Sequence, residues 1–65
     1  MKNIIKKLRK ENGLRQEDLA KELGVSRQTI IAIENNKYDP SLELAIKISL
    51  FFEKTVNDIF LFDNK

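Results

Sequence analysis

The stretch from Gln16 to Glu34, QEDLAKELGVSRQTIIAIE, constrains this chain most. Leu19, Leu23, Val25, Ile30 and Ile33 recur at spacings that give two short helices an apolar stripe each. Gly24 sits at the corner between them, and Ala20 is small where two crossed helices approach closely. The stretch therefore reads as a helix, a tight turn and a second helix laid across the first. Held in this way, the second helix keeps an outward face made of Arg27, Gln28, Ile31 and Ala32.

With 65 residues the chain makes one domain at most, so residues 1–65 are expected to form a single unit. A chain this short buries a modest share of its surface and folds with little to spare. Domains of this size often lean on disulfides, a metal or a second copy. There is no cysteine and no histidine, which removes disulfides, thiol nucleophiles, imidazole bases and the usual zinc ligands. No metal or cofactor is expected, and association with a second copy is the remaining support. No apolar run approaches the length of a membrane span. The Met1 end lacks the apolar stretch and small-residue cleavage site of an export signal. The expectation is a soluble cytoplasmic protein with no membrane partner.

Charge is unevenly spread. Residues 1–37 carry nine Lys/Arg and five Asp/Glu, a balance of +4, whereas residues 38–65 carry three and five, a balance of −2. The basic half contains the two-helix stretch, which gives the imbalance its meaning.

Spacing and cap residues predict five helices. The first runs from Ile4 or Ile5 to about Asn12, with Ile5 and Leu8 inward and Gly13 ending it. The second is Gln16–Leu23. Ser26 caps a third that reaches about Asn35, and Asn36 closes it in the left-handed conformation. Residues 35–40 form a connecting loop. Ser41 caps a fourth helix, whose helical spacing is read from Leu42, Ala45, Ile46, Ser49 and Leu50. Thr55 caps a short fifth, with Asp58 placed for a capping box and Val56, Ile59 and Phe60 apolar. The two ends, Met1-Lys2-Asn3 and Phe60-Leu61-Phe62, are expected to pair as short strands. The expected class is all-α, five helices, extended by a short terminal antiparallel sheet.

From Ile5 to Phe60 the text LRKENGLRQEDLAKELGVSRQTIIAIENNKYDPSLELAIKISLFF, followed by VNDIF, resembles the phage repressor and Cro family of helix-turn-helix regulators. It is most similar to the short, stand-alone repressors, including the cytolysin-operon repressor type. The combination GLxQEDLA, GVSRQTI, IEN and PSLELA is far more specific than a bare helix-turn-helix spacing. The resemblance implies a five-helix domain that binds double-stranded operator DNA as a two-fold homodimer, with its terminal residues forming a small antiparallel sheet. It also implies that Arg9 and Glu34 form a buried ion pair tying the first helix to the third. Three positions depart from the family pattern. Arg15 stands where Ser or Thr usually caps the second helix, a loss of about 1 kcal/mol set against a gained phosphate contact. Ile31 stands where a polar residue, often Asn, is usual. Asn36 replaces a common Gly.

The major groove admits one α-helix, and the third helix is the candidate to fill it. Arg27 and Gln28 open that helix, where side chains reach deepest. Arg pairs bidentately with guanine and Gln with adenine. Thr29 and Ile31 are placed for thymine methyl groups, so Arg27, Gln28, Thr29 and Ile31 are the candidate base readers. Gln16 opens the second helix at the positive end of its dipole, a site for a phosphate. Arg15, Ser26, Asn35, Lys37 and Tyr38 complete the candidate phosphate contacts. Phe60, Leu61 and Phe62 belong to an apolar surplus near the C-terminus and are the candidate dimer contacts.

The leading expectation is a dimeric, sequence-specific transcriptional regulator that represses by occupying a palindrome, with no small-molecule ligand in view. An antitoxin-like or other protein-binding module, with DNA binding secondary, is the alternative. An enzyme is disfavoured, because the remaining Asp, Glu, Lys and Tyr form no catalytic cluster.

Overall fold

In the computed structural model, which describes residues 1–61, the elements run β1 (Lys2–Asn3), α1 (Ile5–Glu11), α2 (Gln16–Leu23), α3 (Arg27–Glu34), α4 (Leu42–Phe52), α5 (Val56–Ile59) and β2 (Phe60–Leu61). Helices α3, α4 and α5 start where a hydroxyl takes an otherwise unpaired backbone N–H. Ser26 Oγ accepts from Thr29 N–H at 3.1 Å, Ser41 Oγ from Leu44 N–H at 3.2 Å and Thr55 Oγ1 from Asp58 N–H at 3.1 Å. Only the Thr55 half of the capping box expected at α5 forms among the described residues.

Four helices end in the same way. Gly13, Gly24, Asn36 and Glu53 follow α1 to α4 with φ between 55° and 72°. At each end, two backbone N–H groups then turn back onto carbonyls of the last turn. At the corner between α2 and α3, Gly24 N–H reaches Lys21 O at 3.3 Å and Val25 N–H reaches Ala20 O at 3.0 Å. This pattern satisfies carbonyls that the helix itself leaves open. Asn tolerates the left-handed region and Glu pays for it.

The core forms where the five helices meet, around Ile5, Leu19, Ile30, Ile33, Ile48 and Ile59, none more than 1% exposed. The predicted inward residues Leu8, Leu19, Ala20, Leu23, Ile30 and Ile33 are all buried, and Val25 packs against them half-buried. β1 and β2 pair antiparallel, with Lys2 opposite Leu61 and Asn3 opposite Phe60. Asn3 locks this ribbon to the body of the domain: its Nδ2 donates to Ile33 O at 2.9 Å and its Oδ1 accepts from Ile5 N–H at 3.1 Å. No helix among the described residues is long and apolar enough to cross a membrane.

Of the residues from which the spacing of α4 is read, only Ala45 is buried. The inward face of α4 is Leu44, Ala45, Ile48 and Phe52, while Leu42, Ile46 and Leu50 are 74%, 44% and 71% exposed. The cause is that α4 is apolar on two sides, so helical spacing fits either stripe. The face carrying Phe52 wins because the aromatic ring fills the core and stands edge-on to Phe51, centroids 5.1 Å apart. Phe60 is also a core residue, 7% exposed, which leaves it little surface for a partner; Leu61 is 48% exposed. Phe62 lies outside the described residues.

Candidate nucleic-acid interface

Helix α3 is mounted by two kinds of contact. Ile30 and Ile33 anchor it in the core at 1% exposure each. At its other end Glu34, 2% exposed in its side chain, meets the Arg9 guanidinium, with Arg9 Nε at 2.8 Å and Nη2 at 3.2 Å from the carboxylate. Arg9 Nη1 also donates to Leu14 O at 2.8 Å. The implied ion pair is thus present, and it binds α1, the loop before α2, and α3 into one frame. Gln16 adds to this, donating from Nε2 to Glu34 Oε1 at 3.2 Å. That bond was not legible in the sequence, because nothing in the local pattern of an N-terminal Gln points to a carboxylate on another helix.

Residues step about 100° around a helix, so the inward Ile30 and Ile33 fix what the rest of α3 presents. Gln28, Ile31 and Asn35 fall within about 60° of one another on the opposite side. Gln28 and Asn35 are exposed and Ile31 is half-buried. Arg27 is exposed on the flank shared with Glu34. There it lines a cleft with Arg9, Arg15, Gln16 and Glu17 at the start of α2. Thr29 turns to the opposite flank. Its hydroxyl shares a 2.9 Å hydrogen bond with Ser26 Oγ, and it borders a groove with Val25, Tyr38 and Ser41. Lys37 and Tyr38 are exposed in the loop beyond α3. The candidate residues therefore form one surface: a central line on α3, a basic cleft on one side, and Thr29 with Tyr38 on the other.

Arg15 is less free than its sequence position suggests. A guanidinium has no acceptor and cannot cap a helix. Instead the chain reverses the usual arrangement: the Asp18 carboxylate accepts from Arg15 N–H at 2.9 Å and from Arg15 Nε at 3.2 Å. Glu17 lies 3.8 Å from the same guanidinium. The hydrogen bond from Arg15 lowers the Asp18 pKa, and the same bond to Asp18 raises that of Arg15. An Asp three residues beyond the cap position was the signal for this contact. No group of three or more acidic side chains that could hold a metal forms among the described residues.

The pattern of the helix-turn-helix family matches residues 5–59. An uncharacterized HTH-type transcriptional regulator of Methanocaldococcus jannaschii is 61% identical over 64 residues, which cover 98% of this chain and 97% of that protein. YgzD of Bacillus subtilis, also named an uncharacterized HTH-type transcriptional regulator, is 48% identical over 60 residues, 92% of this chain and 91% of its own length. The ImmF control region 10 kDa protein of Bacillus phage phi105 is 39% identical over 54 residues, 83% of this chain and 60% of its own. The crossed α2 and α3, the glycine corner between them and the match over residues 5–59 agree: this chain belongs to the helix-turn-helix family.

Proposed function

We propose that this protein regulates transcription by binding a palindromic DNA operator as a homodimer, one α3 in each of two successive major grooves, and that it represses by occupancy. The observation that carries the proposal is the outward line of α3, unobstructed along Gln28, Ile31 and Asn35 and rigidly mounted behind by the core and by Arg9–Glu34. An α-helix of this kind fits the major groove. Gln28 reads adenine bidentately, Arg27 reads guanine from the flank, and Ile31 packs on a thymine methyl. Thr29, with its hydroxyl held by Ser26, offers its own methyl. Arg15 and Gln16 meet phosphates on one side of the groove, Ser26 and Tyr38 on the other, and Asn35 and Lys37 beyond the end of α3. The names of the relatives, transcriptional regulators and a phage control-region protein, support regulation as the output. Residues 1–65 act in this reading as one DNA-binding domain.

The test is selection of bound sequences from random DNA with purified protein. The expected result is an inverted repeat whose half-sites are centred about 34 Å apart, one helical turn. Recovery of no preferred sequence would contradict the proposal, and a lone, unrepeated site would contradict its dimeric part.

A further inference from the structure

Helix α4 carries a second apolar stripe that the fold does not use. Leu42, Ile46 and Leu50 follow at intervals of four, so each is displaced by about 40° from the one before. They lie on the side of α4 away from the buried Leu44, Ile48 and Phe52. Single exposed aliphatics need no explanation. Three in register at 74%, 44% and 71% exposure, on an 11-residue helix of a 65-residue chain, form a continuous apolar face.

We propose that this face is where two copies of the chain meet, with α4 packed antiparallel against the partner's α4 about a two-fold axis at Ile46. The occupant is a second copy because the face is complementary to itself, as an isologous contact requires. The stripe reads the same in both directions from Ile46. Antiparallel packing sets Leu42 over the partner's Leu50, Leu50 over the partner's Leu42, and Ile46 against the partner's Ile46. The charges obey the same symmetry. Glu43 and Lys47 share one edge of the stripe, 3.6 Å apart within the chain. A two-fold axis at Ile46 brings each Glu43 beside the partner's Lys47 on the rim, where interfaces are polar, so each carboxylate meets a lysine of the other copy as well as its own. The other edge carries the small Ser49, whose hydroxyl already donates to Ile46 O at 3.0 Å, so close approach there strands no polar group.

This inference rests on the homodimer reading and names its surface; a dimer elsewhere leaves that reading intact. The chain has no cysteine, which makes disulfide trapping clean. Helices packed 8–10 Å apart leave facing Cα atoms on a two-fold axis about 3.5–5.5 Å apart, a range that overlaps the reach of a disulfide. In the full chain, Ile46→Cys should form a linked dimer on mild oxidation, whereas Lys6→Cys, on the exposed side of α1, should not. Sedimentation equilibrium should show a wild-type dimer whose dissociation constant rises by about 30-fold or more in Ile46→Asp. Ile46 is exposed, so circular dichroism should report an intact fold. Glu43→Lys alone should weaken the dimer, and adding Lys47→Glu should restore it. A wild-type dimer untouched by Ile46→Asp and by the charge reversal overturns the α4 interface alone. A chain that stays monomeric both free and on operator DNA overturns the homodimer reading as well.

Discussion

Glu34 holds a charge at 2% side-chain exposure, and three donors answer it: Arg9 Nε, Arg9 Nη2 and Gln16 Nε2. A buried ion pair adds little net stability, but removing one partner strands the other at a cost of about 3–5 kcal/mol. A 65-residue domain holds roughly 3–10 kcal/mol in all. Glu34→Ala should therefore lower the melting temperature by more than about 12 °C and leave much of the chain unfolded at physiological temperature. A melt close to wild type by circular dichroism would show the pair to be dispensable. The surface residues separate differently. Gln28→Ala should cost about 1–3 kcal/mol on the preferred site and relax one base pair per half-site. Lys37→Ala should weaken all DNA alike and flatten the dependence of log K on log salt by about 1.8, about 0.9 for each copy in the dimer. Sequence-independent loss in Gln28→Ala, or site-selective loss in Lys37→Ala, would reverse these roles. That Gln28 and Lys37 stand exposed on and beside α3 was legible in the sequence, because helical phase and the end of the apolar pattern place them there. Gln16–Glu34 was not, since a bond across 18 positions exists only once two helices cross.

At the scale of the element, helix ends carry most of the local information. Ser26, Ser41 and Thr55 were legible as caps because a hydroxyl before an apolar run has one dominant use. The end of α4 was not, because Glu53 has no propensity for its φ of 55°, a conformation in which its own N–H and that of Lys54 turn back onto Leu50 O and Ser49 O. Glu53→Gly should relieve that strain and raise stability by about 1 kcal/mol, visible as a higher urea midpoint at unchanged m-value. A lower midpoint would mean that the glutamate stem contributes packing that outweighs the strain. The start of α2 is also improvable. Arg15→Ser would supply the missing acceptor, adding about 1 kcal/mol, while the exposed Arg15–Asp18 pair it removes contributes little. The variant should be more stable and bind DNA with a shallower salt dependence; an unchanged salt slope would exclude Arg15 from the phosphate contacts. The wild-type pair also leaves a pH signature. The folded pKa of Asp18 is depressed, so its contribution is complete above the unfolded carboxylate range and is lost as pH falls through the lower folded value. α4 shows the limit of periodicity: two apolar stripes satisfy one spacing, and only the arrangement of its neighbours decides which is buried.

The whole molecule measures 34 × 22 × 20 Å, so its longest dimension is close to one turn of DNA, about 34 Å. One copy can therefore place one α3 in one major groove and cover little beyond it. An 8-residue recognition helix reads only a few base pairs, too few to single out an operator among the competing sites of a genome. In the proposed dimer two copies read two half-sites, and the segregation of charge agrees with that arrangement. In that reading the basic half faces the polyanion through α2 and α3, while the acidic C-terminal half, with the apolar side of α4, is left for protein contact. Binding of the second half-site is then intramolecular, and its gain depends on effective concentration. Scrambling one half-site of the selected palindrome should lower affinity by at least about 100-fold, far more than the loss of one half of the contacts would cost a monomer binding each half alone. The same scrambled DNA should still bind wild type more tightly than a dimerisation-defective variant, because the second copy keeps its phosphate contacts, but the margin should be far smaller than on the intact operator. Equal affinity of the wild type for intact and half-scrambled operators, measured by titration at fixed salt, would show that one copy suffices and that the two-fold architecture plays no part in recognition.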